Sequence, residues 1–267
     1  MTFGGNQPVN RIVSRDNGLI KQLRRLAGNN TEYRSQGQFW VEGDHLCRAA
    51  LERKCVPAVA VFSESFWPTA PAAWAGIAAK TVVVPDDLFD GISGLESSAR
   101  VGFLLDLPRA HAPRPGVASV VLDRIQDAGN VGSILRSAAA FGFQQVLSLK
   151  GSAALWSPKV LRAGMGAHFG LDLVEGLEPP GLAALGVPFI VTSSHQGSPL
   201  QNQTLPWPCT WAFGHEGQGL DTALLAGADL SVRIGQPGGE ESLNVAAAAA
   251  ICLHASATSR MHPPPGG

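Results

Sequence analysis

Charge is scarce in this 267-residue chain. Lys, Arg, Asp and Glu make up 15 % of it, against roughly 25 % in ordinary soluble domains. Twenty basic residues face 21 acidic ones, a net charge of −1. That balance excludes a protein coated along its length with nucleic acid, which needs a basic footprint. Long apolar runs are lacking too. The longest, Val245–Leu253, has nine residues, against the roughly 20 that span a bilayer, so no membrane partner is expected. MTFGGNQPVNR at the start has no apolar signal core. Four cysteines (Cys47, Cys55, Cys209, Cys252) show no CxxC spacing. This excludes a disulfide framework and a cysteine zinc site and predicts reduced thiols in a cytoplasmic protein. Neither a metal-ligand cluster nor a Ser–His–Asp order is visible, so no metal is expected.

What is present divides into two parts. The segment PRAHAPRPG, Pro108–Gly116, has three prolines and no apolar periodicity, and reads as a linker. Residues 1–107 form a smaller domain, with strands at Phe39–Glu42, Ala58–Phe62, Lys80–Val84 and Val101–Leu105, and helices near 16–27, 44–54 and 73–79. Residues 117–267 alternate regularly. Strands read at Val117–Leu122, Gln145–Leu149, Leu171–Val174, Phe189–Ser193, Thr210–Phe213 and Leu230–Ile234. Helices read near 130–141, 157–167, 181–185, 221–227 and 241–256. Such alternation gives an α/β fold with a mostly parallel sheet covered on both faces, whose ligands sit at the carboxyl ends of the strands. The tail, 258–267, ends in HPPPGG and is expected to be disordered.

The low net charge hides an asymmetry. Residues 1–54 carry +4 and residues 55–267 carry −5. Arg15, Lys21, Arg24, Arg25 and Arg34 cluster around a helix that Asp16 can cap, with Leu19, Ile20, Leu23 and Leu26 on its apolar face. This basic group is either a solvated helix face or a phosphate-contacting surface.

Three segments of the second part hold polar residues and glycines where strands end. In LDRIQDAGNVGSILRSAAAFG, Asn130 opens a helix and Arg136 lies six residues on, among Ile134, Leu135 and Ala138. The arginine either pairs with a neighbouring carboxylate or acts on a ligand. FGHEGQGL runs from a strand into Gly214, Gly217 and Gly219, with Glu216 between them. It is not a dinucleotide fingerprint, because Glu216 would repel a pyrophosphate. It is either a tight turn or a loop for a cationic or hydroxyl-rich ligand. In RIGQPGGEESLNVAAAAAICL, Ser242 and Asn244 fall in the first turn of an alanine-rich helix, where both can serve as caps.

Taken in this order, the three segments resemble the SpoU (TrmH-like) family of RNA 2′-O-ribose methyltransferases, of the SPOUT class. Asn130 and Arg136 match its first motif, Gly214, Glu216, Gly217, Gly219 and Leu220 its second, and Glu241–Val245 its third. SPKVLRAGMGA, Ser157–Ala167, is similar to the family's intervening segment. Residues 11–107 resemble its N-terminal RNA-binding domain of L30e-like type. One departure stands out: the third motif usually begins I-P-M-P-G-G, and here Gly235-Gln236 replace Pro-Met.

The resemblance implies a C-terminal SPOUT domain with a trefoil knot, a homodimer, and S-adenosylmethionine as cofactor. It places the cofactor at Thr192, Ser193, Gly214, Gly219, Ile234 and Leu243, with Ser194 nearby. It assigns the chemistry to Arg136, Asn130, Glu216, Ser242 and Asn244, and RNA capture to Arg15, Lys21, Arg24, Arg25 and Arg34. An arginine base is awkward, since its guanidinium pKa exceeds about 12. Arg136 is therefore expected to bind the phosphate beside the reacting ribose and orient its 2′-hydroxyl. Ribosomal RNA is the expected substrate. The alternatives are transfer RNA methylation, or an RNA-binding factor of this fold with little transferase activity.

Overall fold

The computed structural model describes residues 9–74, 76–93, 99–193, 197–238 and 242–261. They divide into two compact units, Met1–Arg109 with Trp156–Phe169, and Ala110–Leu155 with Gly170–Gly267.

The first unit opens with β1 (Asn10–Arg11) and α1 (Gly18–Gly28). Ile20, Leu23, Leu26 and Ala27 recur at helical spacing and are the buried face of α1. Its N-cap is Asn17, not Asp16: Asn17 Oδ1 accepts from Leu19 N–H at 2.9 Å, while Asp16 pairs with Lys21 Nζ at 2.9 Å. There follow α2 (Glu32–Gln36), β2 (Gln38–Glu42), α3 (Asp44–Glu52), β3 (Val59–Ser63), β4 (Lys80–Val84), α4 (Asp86–Asp90) and β5 (Val101–Asp106). The sheet order is β1-β4-β3-β5-β2; β3 is parallel to β4 and antiparallel to β5. No α-helix forms over the described part of 73–79. A single 3-10 turn, Ala72–Trp74, stands between Pro71 and Gly76, whose φ of +88° ends it. The α2 and α4 helices have five residues each, too few to show a helical period in sequence.

The second unit begins with an irregular segment held by Arg114 and His111, which pair with Asp172 at 2.6 and 2.9 Å. Then come β6 (Ser119–Leu122), α5 (Ala128–Ala140) and β7 (Gln145–Leu149). The chain contributes α6 (Pro158–Gly164) to the first unit. It continues with β8 (Asp172–Leu177), β9 (Phe189–Thr192), β10 (Ser198–Pro199), β11 (Thr210–Phe213), α7 (Thr222–Ala226), β12 (Leu230–Arg233) and α8 (Val245–Met261). Residues 258–261, expected in a disordered tail, are the last turn of α8. No proline or glycine interrupts the helix before His262. Residues 262–267 lie outside the described residues.

All seven strands of this sheet are parallel, in the order β10-β12-β9-β11-β6-β7-β8. The chain runs outward from β6 through β7 to β8, then resumes on the other side with β9 to β12. The strand order therefore reverses between β6 and β11, a switch point that opens a crevice at the carboxyl ends. Alternate residues serve opposite faces. Val121, Leu147, Val191 and Ala212 join Leu182, Leu185 and Leu224 on one face. Val120, Val146, Ile190 and Trp211, their strand neighbours, are also fully buried. Trp211 Nε1–H donates to Ser256 Oγ at 2.8 Å, so β11 is tied to α8 through two buried groups. The four cysteines are free, and burial pushes the Cys209 and Cys252 thiols up to about 11 and about 12. Among the described residues no helix is long and apolar enough to cross a membrane.

Space in the first unit is most restricted at Gly102, where a Cβ would stand 2.1 Å from the Trp40 ring. Trp40 is buried and has no room to swing aside. Gly102→Ala should therefore destabilise the chain by about 1–3 kcal/mol, the usual cost of overpacking, as read by urea denaturation.

Candidate active site at the switch point

A cavity of about 360 Å³ lies at the carboxyl ends of the second unit's sheet. Thr192 and Ser193 come from the end of β9, Phe213, Gly214, His215, Glu216, Gly219 and Leu220 from β11 and its loop, Ile234 and Gln236 from the segment after β12, and Ser242, Leu243, Asn244, Val245 and Ala248 from the entry to α8. All six residues to which the resemblance assigns the cofactor, Thr192, Ser193, Gly214, Gly219, Ile234 and Leu243, line it. Glu216, Ser242 and Asn244 line it as well. The neighbouring Ser194, Gly239 and Glu241 lie outside the described residues.

The loop after β11 is shaped by close backbone approach. A Cβ on Gly214 would stand 2.3 Å from the Gly219 carbonyl carbon, so only glycine fits. His215 and Gly219 form an antiparallel bridge, with Gly219 N–H donating to His215 C=O at 2.8 Å. The His215 ring closes the turn: Nδ1 accepts from Gly217 and Gln218 N–H at 3.0 and 3.2 Å. Nδ1 is therefore the acceptor, and the neutral ring carries its proton on Nε2. No side-chain pattern signals this bond, since its donors lie in the backbone.

Asn130 does not open α5. The helix starts at Ala128, and Asp127 is its N-cap, its Oδ1 accepting from Asn130 N–H at 2.7 Å. Nor does Ser242 lie in the first turn of α8. The helix starts at Val245, and Asn244 caps it: Oδ1 accepts from Ala246 and Ala247 N–H at 2.9 and 3.2 Å. This cap decides the direction of a longer chain of bonds. With Asn244 Oδ1 committed to the helix, Nδ2 donates to Asn130 Oδ1 at 2.9 Å. Asn130 Nδ2 then faces outward and donates to Glu216 Oε1 at 3.0 Å. One residue from each motif is thereby joined, in an order dictated by donor and acceptor chemistry.

Arg136 is exposed on the face of α5 that also shows Gly129, Ser133 and Ala140. It does not line the cavity, and among the described residues its side chain has no ion-pair or hydrogen-bond partner. The basic cluster of the first unit differs, for each member has a partner. Arg15 meets Asp87 at 3.1 Å, Lys21 meets Asp16 at 2.9 Å and Arg25 meets Glu32 at 3.7 Å. Arg24 Nε–H donates to Gly91 C=O at 3.0 Å, and Arg34 Nε–H donates to Tyr33 Oη at 3.1 Å. The Lys21 ammonium holds the Asp16 carboxyl below its usual range. Exposed contacts of this kind contribute little, so these cations remain exchangeable.

The described wall of the cavity contains no Lys or Arg, and its one carboxylate is Glu216. Gln236 is one of its wall residues, and the Gln236 Oε1 is buried without a hydrogen-bond partner. Such a wall disfavours a phosphate group and suits a cation that also offers N–H or O–H donors. Its volume falls within the range of small-molecule sites, about 300–1,000 Å³. S-adenosylmethionine, a sulfonium with amine and hydroxyl donors, meets these conditions. No group of three or more potential metal ligands occurs among the described residues.

Comparison with known proteins agrees with this geometry. Residues 118–254 match the model of the SpoU rRNA Methylase family. The chain is 30 % identical to the 23S rRNA (guanosine(2553)-2′-O)-methyltransferase RlmP of Bacillus subtilis, over 92 % of this chain and 98 % of that one. A solved TrmH-family structure from Porphyromonas gingivalis superposes with a TM-score of 0.79 at 30 % identity, covering 89 % of this chain and 96 % of the other. The fold is also that of the SpoU methyltransferase AviRb from Streptomyces viridochromogenes, solved with AdoMet, at TM-score 0.80 and 23 % identity, over 92 % and 99 % of the chains.

The two roles of Asn244 can be separated. Asn244→Ala removes the cap and should cost about 1 kcal/mol of stability. Asn244→Asp keeps the cap and adds a favourable charge at the helix start, so it should stay within about 0.5 kcal/mol of the parent by urea denaturation. The aspartate presents only acceptors to Asn130 and so breaks the link to Glu216.

Proposed function

The chain belongs to the SpoU rRNA Methylase family, and we propose that it transfers a methyl group from S-adenosylmethionine to a ribose 2′-hydroxyl of ribosomal RNA. The observation that carries this reading is the switch-point cavity, free of Lys and Arg in its described wall and lined by Glu216 and the glycine loop. The described B. subtilis relative, matched along nearly its whole length, is named for this reaction on 23S rRNA.

Gly214, Gly219, Ile234 and Leu243 hold the cofactor with Thr192 and Ser193, and Gln236 Oε1 accepts one of its donors. When bound, S-adenosylmethionine supplies an activated methyl group on a cationic sulfur. A wall of low charge leaves few waters to stabilise a cation before reaction, which favours a transition state in which that charge is dispersed. Arg136, exposed and without a partner among the described residues, binds the phosphate next to the reacting ribose through its guanidinium fork. The 2′-hydroxyl releases its proton to that phosphate or to water as its oxygen takes the methyl group. Asn130 and Asn244 keep Glu216 in place through their chain of bonds, and Ser242 lies in the wall within reach of the substrate ribose or the methionine moiety.

The same reading includes a knotted C-terminal segment and a homodimer. Support for the dimer is the outer face of α8, where Ala247, Ile251 and His254 are exposed at helical spacing. A second copy there would cover Ile251 and bring its own groups near the site.

Tritiated methyl transfer tests the function. Wild type should label ribosomal RNA well above transfer RNA, and Arg136→Ala should lower kcat by about a hundredfold while cofactor affinity stays within twofold. Equal, background-level counts from both proteins would overturn the reading. Capture of RNA by the first unit has its own test. Joint Arg24→Ala and Arg25→Ala substitution should weaken RNA binding and flatten its dependence on log salt by roughly one to two units. An unchanged slope would remove these residues from the interface.

A further inference from the structure

Within the second unit, Arg124 is the one described non-glycine residue with left-handed backbone, at φ +57°. An L side chain is strained there and glycine is not. Something must offset that strain, and the side chain shows what does. Arg124 grips Asp123 with two bonds, Nε to Oδ1 at 2.9 Å and Nη2 to Oδ2 at 3.0 Å. It then reaches the loop after β11, with Nη1 donating to Gln218 Oε1 at 3.1 Å and Nη2 to Gly219 C=O at 3.4 Å. Room for the arginine stem is left by Gly151, whose Cβ would come within 3.1 Å of Arg124 Cγ.

Asp123 holds the same loop from beneath. It is buried, its N–H donates to Phe213 C=O at 2.9 Å, and its Oδ2 accepts from Asp221 N–H at 2.8 Å. The loop is thus fixed at its start by Phe213, at its end by Asp221, and in its middle through Gln218 and Gly219. Between these points stand Gly214, His215, Glu216, Gly219 and Leu220, five residues of the cavity wall.

We propose that Arg124, gripped by Asp123, is a positioning residue that clasps the 214–220 loop in the shape the cofactor cavity requires. The left-handed backbone aims the guanidinium at the loop, and its bidentate bond to a buried carboxylate keeps it there. Arg124 touches neither cofactor nor RNA in this role. The inference rests on the function proposed above for what the cavity binds, but the clasp itself is a property of the unliganded chain.

The test uses Arg124→Gly, which relieves the backbone strain while removing the clasp, and Gln218→Ala, which cuts only the loop-side bond. Without cofactor, hydrogen–deuterium exchange of the 214–220 amides should rise roughly tenfold in Arg124→Gly and less in Gln218→Ala. The melting temperature should fall in Arg124→Gly, because the buried Asp123 loses its countercharge, and stay near wild type in Gln218→Ala, which keeps that pair. With cofactor, the dissociation constant for S-adenosylmethionine by calorimetry should rise roughly tenfold, and KM for it should rise with kcat within twofold. Arg124→Lys, which keeps the charge without the fork, should fall between. Wild-type exchange of the loop in both Arg124→Gly and Gln218→Ala would overturn the clasp. A wild-type protein that binds no S-adenosylmethionine would instead overturn the proposed function, while faster loop exchange in Arg124→Gly would still support the clasp.

Discussion

The site depends on the two ends of one side-chain amide. Asn130 accepts from Asn244 with its oxygen and donates to Glu216 with its nitrogen. Neither end is free to choose, because Asn244 has already given its own oxygen to the start of α8. A helix cap near the C-terminus therefore sets the orientation of a residue on α5, and through it a carboxylate on the loop after β11. Three segments far apart in sequence share one polarity of hydrogen bonding. Replacing any member by a residue of similar size but opposite donor character would put like atoms face to face.

Around that chain the second unit keeps fixed charge low. The described cavity wall has no Lys or Arg, and its Gly214 lets backbone approach backbone. The charged groups nearby are engaged with each other: Asp123 with Arg124, and the pair with the loop. Arg136 differs, since it is exposed on α5 and has no partner among the described residues. A guanidinium left unpaired is available to an anionic substrate, whereas the first unit's basic residues must first exchange weak surface partners.

Much of the fold was legible because hydrophobic alternation is a local signal. The strands and the longer helices fall close to where periodicity puts them, and the parallel sheet follows from their regular alternation. What failed was also local in cause. Five-residue helices such as α2 and α4 carry no period, and the 73–79 segment reads as helical by composition although Pro71 and Gly76 confine it to one 3-10 turn. Two helix starts slipped by one to three residues: Asn17 caps α1 in place of the adjacent Asp16, and Asp127 caps α5 three residues before Asn130, while Asn244 caps α8 as its residue type allows.

The sequence by itself determined the residue types at the site. Glycines at 214 and 219, the carboxylate at 216, and amides at 130 and 244 are chemical statements that need no coordinates. Only the tertiary structure decided their partnerships: that His215 closes its own loop, that Asn244 turns Asn130 toward Glu216, and that Arg124 accepts a strained backbone to reach Gln218 and Gly219. The physical reason is range. Propensity and burial pattern act over a few residues, while these bonds join atoms separated by 86 to 114 positions in Asn130–Glu216 and Asn130–Asn244, and only the order of strands in the sheet brings such atoms within 3 Å of each other.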